Sequence, residues 1–206
     1  MNHGPVPGML TRAELGDLIE RGEIETVLTV FPDMYGRLMG KRITGHFFMD
    51  HVADDGMHAC DYLLACDMEM DVIPGYKYTS WETGYGDFHC RPDFATLRRA
   101  AWLPRTAMVL CDLFTQKEEV VEVAPRRMLQ RQLARAKEAG FTVMGGSEIE
   151  LYLFNETFAS AKAKNYHNLQ PIGDYNEDYH ILQGTKEDEL VGGTPLPSSS
   201  ARARPG

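Results

Sequence analysis

Residues Gly145 to Phe154 read Gly-Gly-Ser-Glu-Ile-Glu-Leu-Tyr-Leu-Phe, and this stretch carries the strongest structural signal in the chain. After the glycine pair it is rich in branched and aromatic residues, which predicts a β-strand from Ser147 to Phe154. Side chains two positions apart share one face of a strand, so we expect Glu148 and Glu150 to project the same way. The opposite face of this strand is apolar and consists of Ile149, Leu151 and Leu153.

The two carboxylates on one face are unusual in an otherwise apolar strand. Like charges held side by side repel each other, so solvent, a basic partner or a divalent cation must offset them. Mg²⁺ and Mn²⁺ both prefer oxygen ligands, which makes Glu148 and Glu150 candidate metal ligands. The alternative is an ordinary Glu-x-Glu pair on a half-exposed strand. The apolar context favours the metal, because a solvated face usually carries mixed polar residues.

Composition limits the class of protein. The chain has 206 residues, 43% of them hydrophobic, which suffices for one large domain or two small ones. Its formal net charge is −9 and it has no cluster of lysines and arginines, which disfavours a nucleic-acid partner. It has neither a bilayer-length apolar run nor a signal-peptide pattern, so we expect a cytoplasmic protein without a membrane partner. Its four cysteines lack zinc-site spacing and are expected to be reduced.

The N-terminal part predicts a helix followed by a β-hairpin. Thr11 and Glu14 form a capping-box pattern before helically spaced leucines, and Gly22 is a typical helix stop. Residues 25–31 and 37–43 then alternate in strand fashion on either side of a turn. A short helical turn is expected to follow the hairpin.

Between residues 60 and 90 the chain is first apolar, then acidic and then aromatic. Asp67, Glu69 and Asp71 alternate with apolar residues, which fits either a solvated strand face or an acidic loop that faces a cation. The next segment contains several glycines and the aromatic residues Tyr76, Tyr78, Trp81 and Tyr85. A long aromatic loop often serves a binding site or an interface.

The second half begins with a turn and short extension over residues 91–99 and a strand over residues 106–113. Residues 126–139 form the best predicted helix, because Pro125 suits its first position and Gly140 its end. We expect a buried stripe on this helix from Leu129, Leu133 and Ala136. Its arginines are expected to face solvent: Arg126, Arg127, Arg131 and Arg135.

The last residues differ in character from the rest. Residues 191–206 are almost wholly Gly, Pro, Ser, Ala, Thr and Arg, apart from Val191 and Leu196. Such a segment cannot bury an apolar face, so we expect it to be disordered. The abrupt change near Leu190 leads us to hypothesise a shifted reading frame that truncates a longer protein.

Several of these segments together resemble the glutamine synthetase family. Residues 31–41, reading Phe-Pro-Asp-Met-Tyr-Gly-Arg-Leu-Met-Gly-Lys, look like its N-terminal hairpin. Residues 92–112, with Pro92-Asp93, Trp102 and Leu110-Cys-Asp112, resemble its arginine- and proline-marked segment and the strand that follows. Residues 125–129 resemble the helix that opens its catalytic domain, and residues 147–154 are similar to its first metal-binding strand. The order and spacing of these segments carry the resemblance.

The resemblance implies an α+β fold, with an N-terminal β-grasp-like domain followed by the first helix and metal-binding strand of an incomplete glutamine synthetase catalytic domain. We therefore expect a lead-in and helix over residues 1–22 and the β-grasp domain over residues 23–119. The start of the catalytic domain is expected over residues 120–190, and the disordered tail over residues 191–206.

The resemblance also implies a chemistry. Members of the family use ATP to phosphorylate the γ-carboxylate of glutamate, and ammonia or another small amine then displaces the phosphate. Glu148 and Glu150 match ligands of two different cations, Mg²⁺ or Mn²⁺, which clamp the phosphoryl transfer. The acidic segment with Asp67 and Asp71 resembles a loop that helps to bind the ammonium ion across a subunit boundary in a homo-oligomeric ring, which makes these two residues candidate catalytic groups.

Other family features are missing from the sequence. The sequence contains no His-x-His, and nothing in it resembles the second carboxylate pair or the nucleotide segment that the family's catalytic domain supplies. We therefore expect this chain to be inactive on its own. Three functions stay open: a glutamine-forming ligase, a ligase for polyamines or ethanolamine, and a non-catalytic interaction module or gene remnant.

Overall fold

The computed structural model describes residue 6, residues 8–188 and residue 190, which form two compact units divided between Val143 and Met144. The first unit contains a six-stranded mixed sheet with helices, and the second has short helical segments within mostly irregular chain. Among these described residues, no helix combines the length and the apolar character needed to cross a bilayer. The predicted disordered tail lies outside the described residues.

The described residues of the first unit form four helices and six strands, with a π-helical turn at Phe48–Val52 and 3₁₀ turns at Asp61–Leu64 and Phe94–Thr96. Its helices and strands are α1 (Arg12–Glu20), β1 (Thr26–Pro32), β2 (Leu38–Thr44), α2 (Gly45–Phe47), α3 (Ala53–Asp55), β3 (Met57–Cys60), β4 (Asp87–Pro92), β5 (Arg98–Arg99), β6 (Thr106–Phe114) and α4 (Pro125–Glu138). The second unit contains α5 (Phe158–Ala163), α6 (Ile181–Gly184) and a 3₁₀ turn at Thr185–Glu187.

Strand β6 lies at the centre of the sheet. The strands are ordered β2-β1-β6-β4-β3, and the short β5 also pairs with β6. The pairing of β1 with β6 is parallel, whereas every other pairing in this sheet is antiparallel. The first half of β6 bonds to β1 and β5, and its second half bonds to β4. The β1–β2 hairpin and the β3–β4 hairpin are therefore joined through one strand.

The main core lies on one face of this sheet. Helix α1 contributes its buried residues Leu15, Leu18 and Ile19, and the helical segment after β2 contributes Phe48 and Val52. A smaller cluster of Val30, Ala100 and Met108 lies on the opposite face of the two central strands. Since side chains alternate between the faces of a strand, β1 and β6 carry apolar residues on both faces.

Local sequence signals predicted four elements correctly. Helix α1 begins at the expected capping box, in which the Thr11 hydroxyl accepts from the Glu14 backbone and the Glu14 carboxylate accepts from Thr11. The chain leaves this helix at Gly22 with a φ of 68°, a conformation that favours glycine. The β1–β2 hairpin, strand β6 and helix α4 also lie within two residues of their predicted bounds.

Strand β4 was missed by the sequence analysis, which assigned a turn from residue 91. Phe88, His89 and Cys90 in the centre of β4 are buried, and the strand fills the space between β3 and β6. The aromatic loop before it has no alternating pattern, so nothing local marks where β4 begins. Its position is set by pairing with β6, which no local pattern reveals.

The prediction of a buried apolar stripe on α4 is wrong. Leu129 is 60% exposed and Leu133 42% exposed. The helix is held instead through polar groups: the Arg126 guanidinium bonds to the carboxylates of Asp93 and Asp112, and Gln130 donates to Asp112 over 3.0 Å. The expectation that Arg126 faces solvent is therefore also wrong.

The predicted strand over Ser147–Phe154 is likewise not formed. Residues 147–153 have no regular structure, and Phe154 makes only an isolated bridge with Pro171. Ile149, Leu151 and Tyr152 are largely exposed. A strand requires a neighbouring backbone to accept and donate its hydrogen bonds, and the second unit offers such a neighbour only at the end of this segment.

We expect Thr29→Val to stabilise the first unit by about 1 kcal/mol. The Thr29 side chain is fully buried, and its hydroxyl has no hydrogen-bond partner in the described structure. Valine keeps the shape and removes an unsatisfied polar atom. Thr106→Val is the matched control: this hydroxyl donates to the Pro104 carbonyl over 2.8 Å, so its loss should destabilise the protein. Urea unfolding followed by circular dichroism measures both, and shifts in the same direction would contradict the argument.

Candidate functional site

Glu148 and Glu150 lie in the second unit as free, exposed carboxylates. Both side chains are exposed, and neither has a hydrogen bond or an ion pair within the described part of the chain. They therefore keep the full acceptor capacity of an ionised carboxylate. Ile149, Leu151 and Tyr152 are exposed as well, so this described segment combines oxygen ligands with exposed apolar side chains.

The oxygen donors of these two residues suit a divalent cation, but two carboxylates are too few ligands for a tight site. Mg²⁺ and Mn²⁺ take carboxylate oxygens in roughly octahedral shells, so a tight site needs further ligands. Across residues 8–188 no group of three or more His, Cys, Asp or Glu side chains is placed to hold a metal ion. The described chain thus offers single carboxylates to a cation rather than a complete ligand set.

The segment that follows the two glutamates is anchored by Glu156. The carboxylate of Glu156 pairs with the Lys164 ammonium, accepts from the Ser160 hydroxyl over 2.6 Å and accepts from the Gln170 backbone over 3.1 Å. These contacts, led by the bond from Lys164, lower the pKa of Glu156 to about 2. Because its oxygens already accept from three partners, the Glu156 carboxylate has a structural role. It differs in this from the two free glutamates earlier in the chain.

In the first unit, the acidic residues 67–71 form a turn rather than a strand face. The Asp67 carboxylate accepts from the backbone N–H groups of Glu69 over 2.8 Å and Asp71 over 3.0 Å. A bridge between Cys66 and Val72 closes the turn. Asp67 therefore shapes the loop with its own carboxylate, whereas the Asp71 side chain is exposed.

A buried ion pair attaches this acidic turn to the β1–β2 hairpin. The Asp33 carboxylate is 1% exposed, and it accepts from Arg37 Nε over 2.6 Å and from the backbones of Tyr35 and Arg37. The remaining Arg37 nitrogens donate to the carbonyls of Met68 and Asp67 over 2.8 and 2.9 Å. Burial alone raises the pKa of Asp33, but Arg37 and the two backbone donors outweigh it and hold that pKa below its usual value.

A second carboxylate, Asp61, fixes the aromatic loop. Asp61 accepts from the Thr79 hydroxyl over 2.7 Å and from the Gly86 backbone over 3.2 Å, and its own N–H donates to the Gly86 carbonyl over 2.9 Å. One side chain thus holds the middle of the loop, at Thr79, and its end, at Gly86. Tyr78 at the base of the loop packs on the core, and burial followed by the charge of Asp61 raises its pKa to about 12.

The structure separates the predicted site residues into two groups. Asp67 and Asp71 lie in one turn of the first unit, and Glu148 and Glu150 lie in the second. Sequence analysis missed Asp33, Arg37 and Asp61, which position the acidic turn and the aromatic loop. Asp33 had a usable signal, because an aspartate just after a strand and before a glycine turn often caps the turn. Asp61 had none, since its partners are 18 and 25 residues away in sequence.

Comparisons with known proteins agree on one family. The family described as "Glutamine synthetase, catalytic domain" matches residues 122–193. Gamma-glutamylethanolamide synthetase GlnA4 of Streptomyces coelicolor is 44% identical over 178 residues, which cover 86% of this chain and 38% of that protein. Glutamate–isopropylamine ligase of a Pseudomonas species is 28% identical over 176 residues, covering 85% of this chain and 38% of the relative.

A solved structure described as a novel glutamine synthase homolog has a TM-score of 0.48 and 15% identity, and it covers 68% of this chain and 29% of that chain. The described fold is a mixed α/β arrangement with free carboxylates after helix α4. The chain belongs to the glutamine synthetase family. It spans 38% of the length of the two curated relatives named above.

We expect Asp33→Asn to lower the free energy of unfolding by about 2 kcal/mol at pH 7, because it leaves Arg37 without its buried counter-charge. The native pKa of Asp33 lies below the unfolded value near 3.8, so its contribution is complete above that value and is lost as the pH falls through the native pKa. The stability difference between the two proteins should therefore shrink in acid.

Urea unfolding at pH 7 and at pH 3 measures this difference. The control is Asp17→Asn, which changes an exposed aspartate of helix α1 that has no ion pair in the described structure. A loss for Asp33→Asn no larger than that of the control at pH 7 would contradict the role given to the ion pair.

Proposed function

We propose that this chain supplies the amine-binding and first metal-binding parts of an ATP-dependent glutamate–amine ligase. The 44% identity to gamma-glutamylethanolamide synthetase over 178 residues is the observation that carries this proposal. In the proposed reaction, the γ-carboxylate of glutamate attacks the γ-phosphorus of ATP and releases ADP. The amine nitrogen then attacks the acyl carbon, inorganic phosphate leaves, and the nitrogen loses a proton to give the amide.

The proposed amine is a small organic amine rather than ammonia. Both relatives described above carry an organic amine in their names, ethanolamide and isopropylamine. The acidic character of residues 61–87 supports this choice, because organic amines are cations near neutral pH and negative surfaces attract them. Ammonia is the alternative substrate, and a polyamine is a larger member of the same class.

Residues 23–119 are proposed to form the β-grasp domain of the ligase. The sheet order β2-β1-β6-β4-β3, its parallel central pair and the helical segment after the hairpin support this assignment. Within it, Asp67 shapes the acidic turn and Asp71 offers a free carboxylate to the incoming cation. A homo-oligomeric ring, in which this domain completes the site of a neighbouring copy, is part of the same proposal.

Glu148 and Glu150 are proposed to hold divalent cations, Mg²⁺ or Mn²⁺. Their free, exposed carboxylates and hard oxygen donors support this role. A bound cation would neutralise charge on the nucleotide and on the transferred phosphoryl group. The chain's own part is to present one carboxylate to each cation, while the flanking apolar residues keep the segment ready to enter a sheet.

A chimera provides the test of the proposed function. This chain would replace the matching 178 residues of the Streptomyces coelicolor relative, and a γ-glutamyl amide would be sought by mass spectrometry with ethanolamine, isopropylamine or ammonium. We expect ATP-dependent product, with more amide from the organic amines. A chimera of the parent's oligomeric size that forms no amide from any of the three would reject the proposal.

Within that chimera, Glu148→Gln and Glu150→Gln should each lower turnover at least about 100-fold. Removing a residue that only orients a metal ligand lowers metal affinity or activity about 10- to 100-fold. Removing the metal ligand itself should lower activity at least as much. Glu138→Gln changes an exposed glutamate of helix α4 and should leave turnover unchanged. Retention of full activity in both ligand variants would remove the two glutamates from the proposed metal sites.

Tested by itself, the purified chain should release no phosphate from ATP in the presence of glutamate and amine. The physical reason is that its described residues present no group of three or more metal-binding side chains. A coupled phosphate assay with the Streptomyces coelicolor relative as positive control measures this. Release above the rate without glutamate would show that the chain assembles a working site on its own.

A further inference from the structure

The aromatic loop carries an exposed tryptophan whose ring contacts two tyrosine rings in series. Trp81 is 85% exposed. Its ring meets Tyr85 edge to face, with centroids 5.0 Å apart and an interplanar angle of 78°. Tyr85 in turn meets Tyr62 with centroids 6.1 Å apart at 83°. The indole is thus held from behind while its surface stays open to solvent.

The loop that carries this ring is held by hydrogen bonds between its own residues and Asp61. Asp61 accepts hydrogen bonds from Thr79 and Gly86, on either side of Trp81, and Thr79 is 1% exposed. Inside the loop, the Ser80 and Thr83 side chains each accept from the other's backbone N–H, over 3.2 and 3.0 Å. A ligand that docks on Trp81 would therefore meet a surface that is already ordered, which lowers the entropy cost of binding.

The net charge of the segment that carries the exposed ring favours a cationic ligand. Residues 61–87 contain six carboxylates and a single basic residue, Lys77. An aromatic face carries negative potential of its own, and it attracts ammonium groups within about 6 Å of its centroid. An anionic or neutral apolar partner would gain nothing from these charges, whereas an organic cation gains from both the ring and the carboxylates.

We propose that Trp81, braced by Tyr85, binds the alkylammonium form of an amine. The inference rests on the proposed function only for the identity of the natural ligand, the amine substrate. In that setting Trp81 gives preference to amines with a carbon body, because an indole face contacts methylene groups as well as charge, and the ammonium ion has none. Trp81 is a specificity-determining residue in this proposal, and Tyr85 is a positioning residue.

The chain offers a direct optical test, because it contains only two tryptophans, Trp81 and Trp102. Trp102→Phe leaves Trp81 as the sole indole, and Trp81→Phe leaves Trp102, which is 53% exposed, as the matched reporter. Both proteins are titrated with ethanolammonium chloride and with tetramethylammonium chloride, which cannot donate a hydrogen bond. Ethylene glycol is the neutral analogue, and sodium chloride controls for ionic strength.

We expect a saturable change in fluorescence for Trp81 with both organic cations, and a flat response with ethylene glycol and sodium chloride. The Trp102 reporter should respond to none of the four. A Trp81 response that does not saturate, or that ethylene glycol or sodium chloride reproduces, overturns the proposal.

The positioning role of Tyr85 is tested in the Trp102→Phe protein. Tyr85→Leu should weaken tetramethylammonium binding about three-fold or more, since it frees the indole from its fixed orientation. Tyr76→Leu changes another tyrosine of the same loop, 41% exposed and without a ring contact in the described chain, and should leave affinity unchanged. Equal effects of the two changes overturn the positioning role of Tyr85.

The binding test and the chimera assay can give opposite results, which distinguishes the two proposals. A missing Trp81 response with an active chimera rejects the alkylammonium surface and leaves the ligase proposal standing. A saturable Trp81 response with an inactive chimera supports the surface and rejects the ligase.

Discussion

The pairing of strand β6 with three other strands is the constraint on which the first unit depends. Its nine residues bond to β1 in parallel and to β4 and β5 in antiparallel fashion, so both hairpins of the sheet are attached to it. Helix α4 is attached to it as well, through Arg126 and Gln130 on Asp112. Without β6 the chain retains two separate hairpins, and isolated two-stranded hairpins are marginally stable in water.

The carboxylates of the described chain fall into two groups, those that hold loops of the first unit and those without a partner. Asp33, Asp61 and Asp67 each accept hydrogen bonds from the backbone or side chains of their own loops, so their acceptor capacity is largely filled. Glu148 and Glu150 have no such partners within the described residues. The distinction between filled and free carboxylates separates groups that position the loops from groups that remain able to bind a cation or a substrate.

Elements with a local signal were predictable, and elements that depend on a distant partner were not. The capping box at Thr11, the Pro125 start of α4 and the branched run of β6 all act within a few residues, and each element lies where expected. Strand β4 needs β6 to fix it, and the strand predicted at Ser147 lacks a neighbour in the second unit. The apolar residues Leu129 and Leu133 follow the periodicity of a buried stripe, yet burial requires a second layer that the pattern itself cannot supply.

The candidate site divides in the same way. Glu148 and Glu150 could be named as candidates because carboxylates are recognisable by residue type, but the strand register assigned to them is absent and their metal role stays a prediction. The hydrogen bonds of Asp61 to Thr79 and of Arg37 to the Met68 carbonyl could not be predicted, because each joins segments that lie far apart in sequence. Trp81 lies between Thr79 and Gly86, the two residues that Asp61 holds. The sequence therefore predicted a loop here, but not its exposed ring.

The parallel pairing of β1 with β6 also governs how the chain reaches its native state. The paired residues Thr26 and Thr106 are about 80 positions apart in sequence. Closing a loop of this length costs entropy before any contact compensates for it, so folds of such high contact order form slowly. During synthesis, β1 and β2 leave the ribosome long before β6 exists. The edge of β1 that later pairs with β6 is therefore open in the nascent hairpin, and chaperone binding at that stage would protect it from pairing with another chain.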